Sequence, residues 1–225
     1  MNENLNYQFN KQIFGKAPRS FWSDFYTLLF VFSIAVIVIL FAFGCVYTGA
    51  RVEGASMMPT FNKGYATHPE KEDVVYYRAV DSYEYGDIVV ARVNDGGETK
   101  DIIKRVVGLP GDYIEIKKCS DGNYYLYRNA IKVEEDYILS YKDMEIANEW
   151  FDRLTGYTGH LTVGAREMFI LGDNRGDSKD STYYGCFHYD NILGVVDYVV
   201  DADEIPVVSM LFQLFLPVLR PRTIV

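Results

Sequence analysis

LLFVFSIAVIVILFAFGCVY, residues 28–47, carries no charge and almost no polar side chain. About 20 such residues wound as a helix span the hydrocarbon core of a bilayer. The charge-free interval extends from Phe25 to Ala50, with Lys11, Lys16 and Arg19 before it. Basic residues collect on the cytoplasmic side of a span. The expected topology is therefore a short N-terminus inside and everything after Arg51 outside. Phe21, Trp22 and Tyr26 at one end and Tyr47 at the other suit the two membrane interfaces. A cleaved leader is the competing reading, with Thr48-Gly49-Ala50 as the cut or Ala42-Phe43-Gly44-Cys45 as a faint lipoprotein box. Such leaders have apolar regions of about 7–15 residues and short basic starts, and this stretch exceeds both. The chain thus reads as a cytoplasmic segment (1–24), a transmembrane helix (25–50) and an outer domain (51–225).

Composition agrees with that division. Of 225 residues 49% are hydrophobic and 16% aromatic, enough to build a core. Residues 1–50 hold three bases against Glu3 and Asp24, a net of +1, so the rest carries −10 of the total −9. That balance excludes a nucleic-acid-binding surface of the usual basic kind. Cys45, Cys119 and Cys186 make neither a metal-binding spacing nor a disulfide framework. Whether Cys119 and Cys186 pair stays open.

Beyond Arg51 short alternating runs are separated by turn signals, the pattern of a mostly β domain. Strands are expected at 74–80, 88–93, 99–107, 113–118, 124–128, 168–171 and 193–200. Asn94-Asp95-Gly96-Gly97 and Ser120-Asp121-Gly122-Asn123 suit hairpin turns. Leu109-Pro110-Gly111-Asp112 suits a type II turn. A single helix is expected over 143–154, with Ile146, Trp150 and Leu154 on one face and Asp143 as N-cap. The apolar tail 205–219, broken by Pro206 and Pro217, is too short to span and suits docking on the domain or the membrane interface.

Three segments carry candidate chemistry. Gly54-Ala55-Ser56-Met57-Met58-Pro59 sets a serine among small residues on a loop stiffened by proline. Taken alone it could be a linker turn. In Lys100–Asp112, KDIIKRVVGLPGD, Lys104 shares a strand face with Ile102 and Val106. Burial disfavours the charged form of a lysine, and a neutral amine beside a serine hydroxyl is a nucleophile–base pair. Taken alone, though, a strand lysine more often reaches back to water. Gly172–Ser181, GDNRGDSKDS, gathers short hydrogen-bonding side chains that suit support of a base or simply a polar surface loop. His68, His160 and His188 lie in no recognisable triad context.

In this order behind an anchor, the segments resemble the type I signal peptidases, Gram-positive type, from the anchor to about Val200. Tyr85-Gly86-Asp87-Ile88-Val89-Val90 matches that family's glycine–aspartate strand. The resemblance implies a β-sheet or barrel catalytic domain with one membrane anchor and a short helical insertion. It implies Ser56 as nucleophile, Lys104 as general base and Ser178 as the hydroxyl that orients the amine. Gly54 stands where other members place an oxyanion serine, leaving backbone donors such as the Ser56 N–H, and Asp180 belongs to loop support. The family usually carries Arg where this chain has Thr182, which leaves the partner of Asp180 open, with Arg105 or Arg175 as substitutes. The implied activity is removal of signal peptides from exported preproteins, accepting small side chains one and three residues before the cut. No metal or organic cofactor is implied, and the implied surroundings are the cell membrane near the secretion translocon. The competing functions are a self-cleaving Ser–Lys module of the LexA kind and a catalytically silent module in surface assembly.

Overall fold

Two glycines set a tight turn in the β domain that follows the apolar helix. Gly96 and Gly97 have φ of 65° and 94°, values that cost a side-chain-bearing residue strain. They close a two-residue loop between β3 (Ile88–Asp95) and β4 (Glu98–Gly108), which pair in register from Ile88↔Arg105 to Asp95↔Glu98. The expected type II turn also forms: Gly111 has φ of 88° and Asp112 N–H donates to Leu109 C=O at 3.0 Å.

The computed structural model describes residues 21–63, 72–200 and 222–224. The N-terminal 20 residues, His68 and the tail 205–219 lie outside them. The chain divides into two units between Phe43 and Gly44. The first contains most of α1 (Phe21–Val46), a 26-residue helix with no buried side chain, long and apolar enough to cross a membrane. The helix ends short of the expected Ala50, because Thr48–Val52 is strand β1, paired antiparallel with β2 (Val74–Arg78).

The second unit is mostly β. Its remaining strands are β5 (Tyr113–Lys118), β6 (Tyr124–Arg128), β7 (Ile131–Lys132), β8 (His160–Thr162), β9 (Glu167–Leu171), β10 (Phe187–His188), β11 (Ile192–Val200) and β12 (Arg222–Ile224). Eight strands form one sheet in the order β10-β9-β4-β3-β11-β2-β1-β12, and four form a second in the order β7-β6-β5-β8. Central strands buried on both faces explain the near-continuous apolar runs. In β4, Ile103 enters one core cluster with Val90 and Phe61, while Ile102 and Val106 enter another with Val89 and Met168. The third cluster lies under the second sheet, where Ile114, Ile116 and Leu126 pack with Phe169 and the helix α2 (Met144–Leu154).

The α2 helix corrects the expectation in two ways. Its buried residues are Met144, Ala147, Asn148 and Phe151, and the Ile146–Trp150–Leu154 stripe lies on another side. That stripe runs along the 172–185 segment: Trp150 meets Tyr183 edge-to-face at 4.8 Å between ring centres, and a side chain at Gly176 would meet Ile146. Asp143 makes no capping bond, because φ −72° and ψ −15° already make it helical. An N-cap needs extended dihedrals. Ser140 has them, and its hydroxyl accepts from Lys142 N–H at the start of a preceding 3-10 turn.

Candidate active site

The loop after β1 is held by what surrounds it. Met57 and Phe61 sink into the core, which leaves Ser56 between them and the strand. Asn62, buried with φ of 52°, donates to Val52 C=O at 2.8 Å and Gly54 C=O at 2.9 Å. It also exchanges two bonds with Asp73, N–H to carboxylate at 2.7 Å and Asp73 N–H to Asn62 Oδ1 at 2.9 Å. From the other side Asn174 donates through N–H to Ser56 C=O and through Nδ2 to Ala55 C=O, both at 3.0 Å. The backbone on either side of Ser56 is therefore fixed at four carbonyls. The Ser56 N–H makes no hydrogen bond among the described residues.

Lys104 approaches from β4, opposite Val89. It is 1% exposed, and its Nζ lies 2.8 Å from Ser56 Oγ and 2.8 Å from Ile103 C=O. Burial pushes its pKa down to about 8, against the opposing pull of Asp180, Asp173 and Asp177. A lysine so placed is neutral in a useful fraction of molecules near neutral pH, and only the neutral amine can accept the serine proton. Both groups open onto a cleft of ≈ 430 Å³ lined also by Gly54, Val93, Ile102 and Tyr184.

The 172–185 loop supplies the rest. Gly172 has no room for a side chain: a Cβ there would meet the Ser56 carbonyl at 2.5 Å and the Ser178 side chain. Asp180 is 1% exposed and caps the short helix α3 (Ser181–Tyr184). Its carboxylate accepts from Gly172 N–H at 3.0 Å, Thr182 N–H at 3.0 Å and Thr182 Oγ1 at 2.8 Å. Thr182 is thus the partner left open by the sequence. Neither arginine substitutes. Arg105 holds Asp173 with two bonds, at 2.6 and 2.8 Å, and Arg175 holds Glu135. Ser181 Oγ accepts from Ile170 N–H at 2.9 Å and ties the loop to β9.

The expected bond between Ser178 and the Lys104 amine is not made. Ser178 Oγ is buried and has no hydrogen-bond partner. The amine's bonds run instead to Ser56 and Ile103. Gly54, with φ of 85°, sits on the cleft wall beside Ser56. His160 stacks on Tyr113 and His188 bonds to Asp190, so neither joins the serine. The three cysteines are free thiols.

Sequence reasoning missed Asn62, Asp73 and Asn174 as clamps, and Glu135 as the buried partner of Arg175. Asn174 stood inside the quoted loop motif. Glu135 lies in Glu134-Glu135-Asp136, which looks like a solvated acidic run and gives no signal of burial.

Comparison with known proteins places the chain in a family. A family model described as signal peptidase, peptidase S26, matches residues 25–200. Signal peptidase I of Bacillus caldolyticus is 37% identical over 164 residues, covering 68% of this chain and 79% of that protein. Signal peptidase I S of Bacillus subtilis is 33% identical over 168 residues, covering 74% and 83%. Signal peptidase IB of Staphylococcus aureus is 33% identical over 179 residues, covering 76% and 87%. Among solved structures, a signal peptidase I from Enterococcus faecalis aligns with 53% of this chain and all of its own, at 25% identity and a TM-score of 0.36. With the family model spanning the segments that hold Ser56, Lys104 and the 172–185 loop, the chain belongs to the signal peptidase family, peptidase S26.

Proposed function

We propose that this chain is a membrane-bound serine endopeptidase that removes N-terminal signal peptides from exported preproteins through a Ser56–Lys104 dyad. The observation that carries the reading is the 2.8 Å approach of a buried, pKa-lowered lysine to a serine on a clamped loop. Neutral Lys104 takes the Ser56 proton as Oγ attacks the scissile carbonyl. The resulting oxyanion accepts from the Ser56 N–H, which is unengaged among the described residues. Gly54 keeps the neighbouring wall free of a side chain. Lys104 then returns its proton to the leaving amine, and an acyl-enzyme remains on Ser56. The same amine activates the water that releases the new carboxylate. Asp180 holds the loop through Gly172 and Thr182, and Ser178 is the hydroxyl nearest in role to orienting the amine once substrate is bound.

The α1 helix anchors the enzyme in the cell membrane, with the N-terminus cytoplasmic and the catalytic unit outside, beside preproteins leaving the translocon. The test is cleavage of a purified preprotein by the full chain in proteoliposomes. Wild type should release the mature protein, and Ser56→Ala and Lys104→Met should not. Cleavage of the chain itself with no cleavage of preprotein would overturn the reading in favour of a self-cleaving module. Digestion of the catalytic unit by added protease only in inside-out vesicles would overturn the topology.

A further inference from the structure

Two side chains from the stretch after β7, Glu135 and Tyr137, brace the two arginines that flank the dyad. Arg105 follows Lys104 in β4, and Arg175 follows Asn174, which clamps the backbone at Ser56. Arg105 grips the 172–185 loop through Asp173, at 2.6 and 2.8 Å, and reaches the serine loop at Thr60 Oγ1, at 3.4 Å. Arg175 grips the 172–185 loop from within, donating from Nε to Gly172 C=O at 2.9 Å. Each guanidinium then leans on the same pair of side chains. That of Arg105 lies over the Tyr137 ring, 4.1 Å from its centre, where the ring face attracts a cation. Arg175 donates two bonds to Glu135, and the Tyr137 hydroxyl donates to the same carboxylate at 3.0 Å. Burial and the Glu135 charge raise the pKa of this phenol, so its hydroxyl stays a donor. Tyr137 therefore meets one arginine with its ring and serves the other through Glu135.

We propose that Tyr137 is a positioning residue for the dyad: with Glu135 it holds Arg105 and Arg175, and through them the strand that carries Lys104 and the loop that clamps Ser56. The proposal rests on Ser56 and Lys104 being nucleophile and base. Neither Tyr137 nor Glu135 lines the cleft, so a substrate held there gains nothing from them directly. Proton transfer over the 2.8 Å between Oγ and Nζ depends on alignment, and a misplacement of about 1 Å can cost about 10²-fold in rate. A fault in the brace should therefore appear in kcat and spare KM.

The brace can be removed in two steps. Tyr137→Phe keeps the ring over Arg105 and loses the bond to Glu135, and Tyr137→Leu loses both. The detergent-solubilised full chain is assayed on a purified preprotein over a range of concentrations, at a temperature well below the Tm of each variant. The kcat should fall about 3–10-fold in Tyr137→Phe and about 30–100-fold in Tyr137→Leu, within the cost of such a misplacement, with KM within about twofold of wild type. A tyrosine that only packs the fold would lower Tm and leave kcat unchanged, and that outcome in folded Tyr137→Leu overturns the proposal. A loss carried by KM overturns it as well. Should Tyr137→Leu misfold, Tyr137→Phe decides: a fall in kcat of about threefold or more sustains the proposal, and full kcat overturns it. Undiminished cleavage in Ser56→Ala or Lys104→Met would instead sink the Ser–Lys reading.

Discussion

Lys104 and Arg175 are two cations buried to within 2% of full closure, on β4 and on the 172–185 loop, and they are buried on opposite terms. Arg175 meets the Glu135 carboxylate with two bonds, at 2.5 and 3.2 Å. Burial alone would pull its pKa down, but Glu135, with Tyr137 and Asp180 adding to it, more than reverses that, and the pKa is raised. Lys104 has no carboxylate in contact, only a hydroxyl and a carbonyl, and burial wins. A buried cation with its counter-ion in contact stays charged and can do architectural work. One whose nearest acids stand further back loses its proton within reach of neutral pH and can do proton transfer. The same loop serves both ends, since Asn174 clamps Ser56 while the next residue, Arg175, locks the loop to Glu135.

The largest break in this contrast is loss of catalysis. Ser56→Ala and Lys104→Met should each lower kcat/KM by about 10⁴-fold or more, and the double variant should be little worse, because the two groups act as one unit. Additive losses in preprotein cleavage would mean that the residues do not form a dyad.

On stability the two cations should part company. Arg175→Met strands the Glu135 carboxylate in the interior, and breaking such a pair costs about 3–5 kcal/mol. The urea midpoint should fall accordingly, and Arg175→Met with Glu135→Leu should recover much of it. Lys104→Met should do the reverse. A folded-state pKa of about 8 against an ordinary 10.5 is a cost of about 3 kcal/mol. That cost is fully present below about pH 8, fades as pH rises toward 10.5 and is absent above. Lys104→Met should therefore raise Tm at pH 7 by about 5–10 °C, with the gain shrinking as the scan is repeated toward pH 10. Equal gains at pH 7 and pH 10 would show that Lys104 is not a strained, deprotonation-prone group.

Much of this contrast was legible in the sequence, on one side. Period-two alternation in KDIIKRVVG put Lys104 between Ile102 and Val106, and the strand core bears it out. The long apolar helix and the β4–β5 turn followed from local composition and from one glycine. What escaped depends on distant partners. Thr48-Gly49-Ala50 looked like the end of an apolar span, yet pairing with Tyr76 and Tyr77 of β2 makes it strand. In α2 two stripes of apolar residues compete, and only the sheet beneath decides that Met144 and Phe151 go inward. Glu135 sits 40 residues from Arg175, and nothing in an acidic run marks which member is buried. Asp180 found its partner two residues away, in the residue that the family pattern had flagged as a departure.

Ser178 yields the smallest effect and the sharpest question about the catalytic side. Its hydroxyl is buried without a partner, and a stranded polar group of this kind costs about 1–3 kcal/mol. The neutral amine of Lys104 has two N–H groups and one lone pair. Ile103 C=O takes one N–H and the Ser56 hydroxyl occupies the lone pair, which leaves one donor over. A rotation that joined this donor to Ser178 Oγ would satisfy both groups and aim the lone pair at Ser56. Ser178→Ala should then lower kcat by about 10–100-fold, a part of what base catalysis supplies, with KM little changed. Fold stability should hold or rise by up to about 1 kcal/mol, since the stranded hydroxyl goes. Ser178→Thr, which keeps the hydroxyl, should retain most of the rate if the Gly172 backbone tolerates the extra methyl. Full activity in a folded Ser178→Ala protein would remove Ser178 from the catalytic group, leaving its hydroxyl as a packing fault beside Gly172.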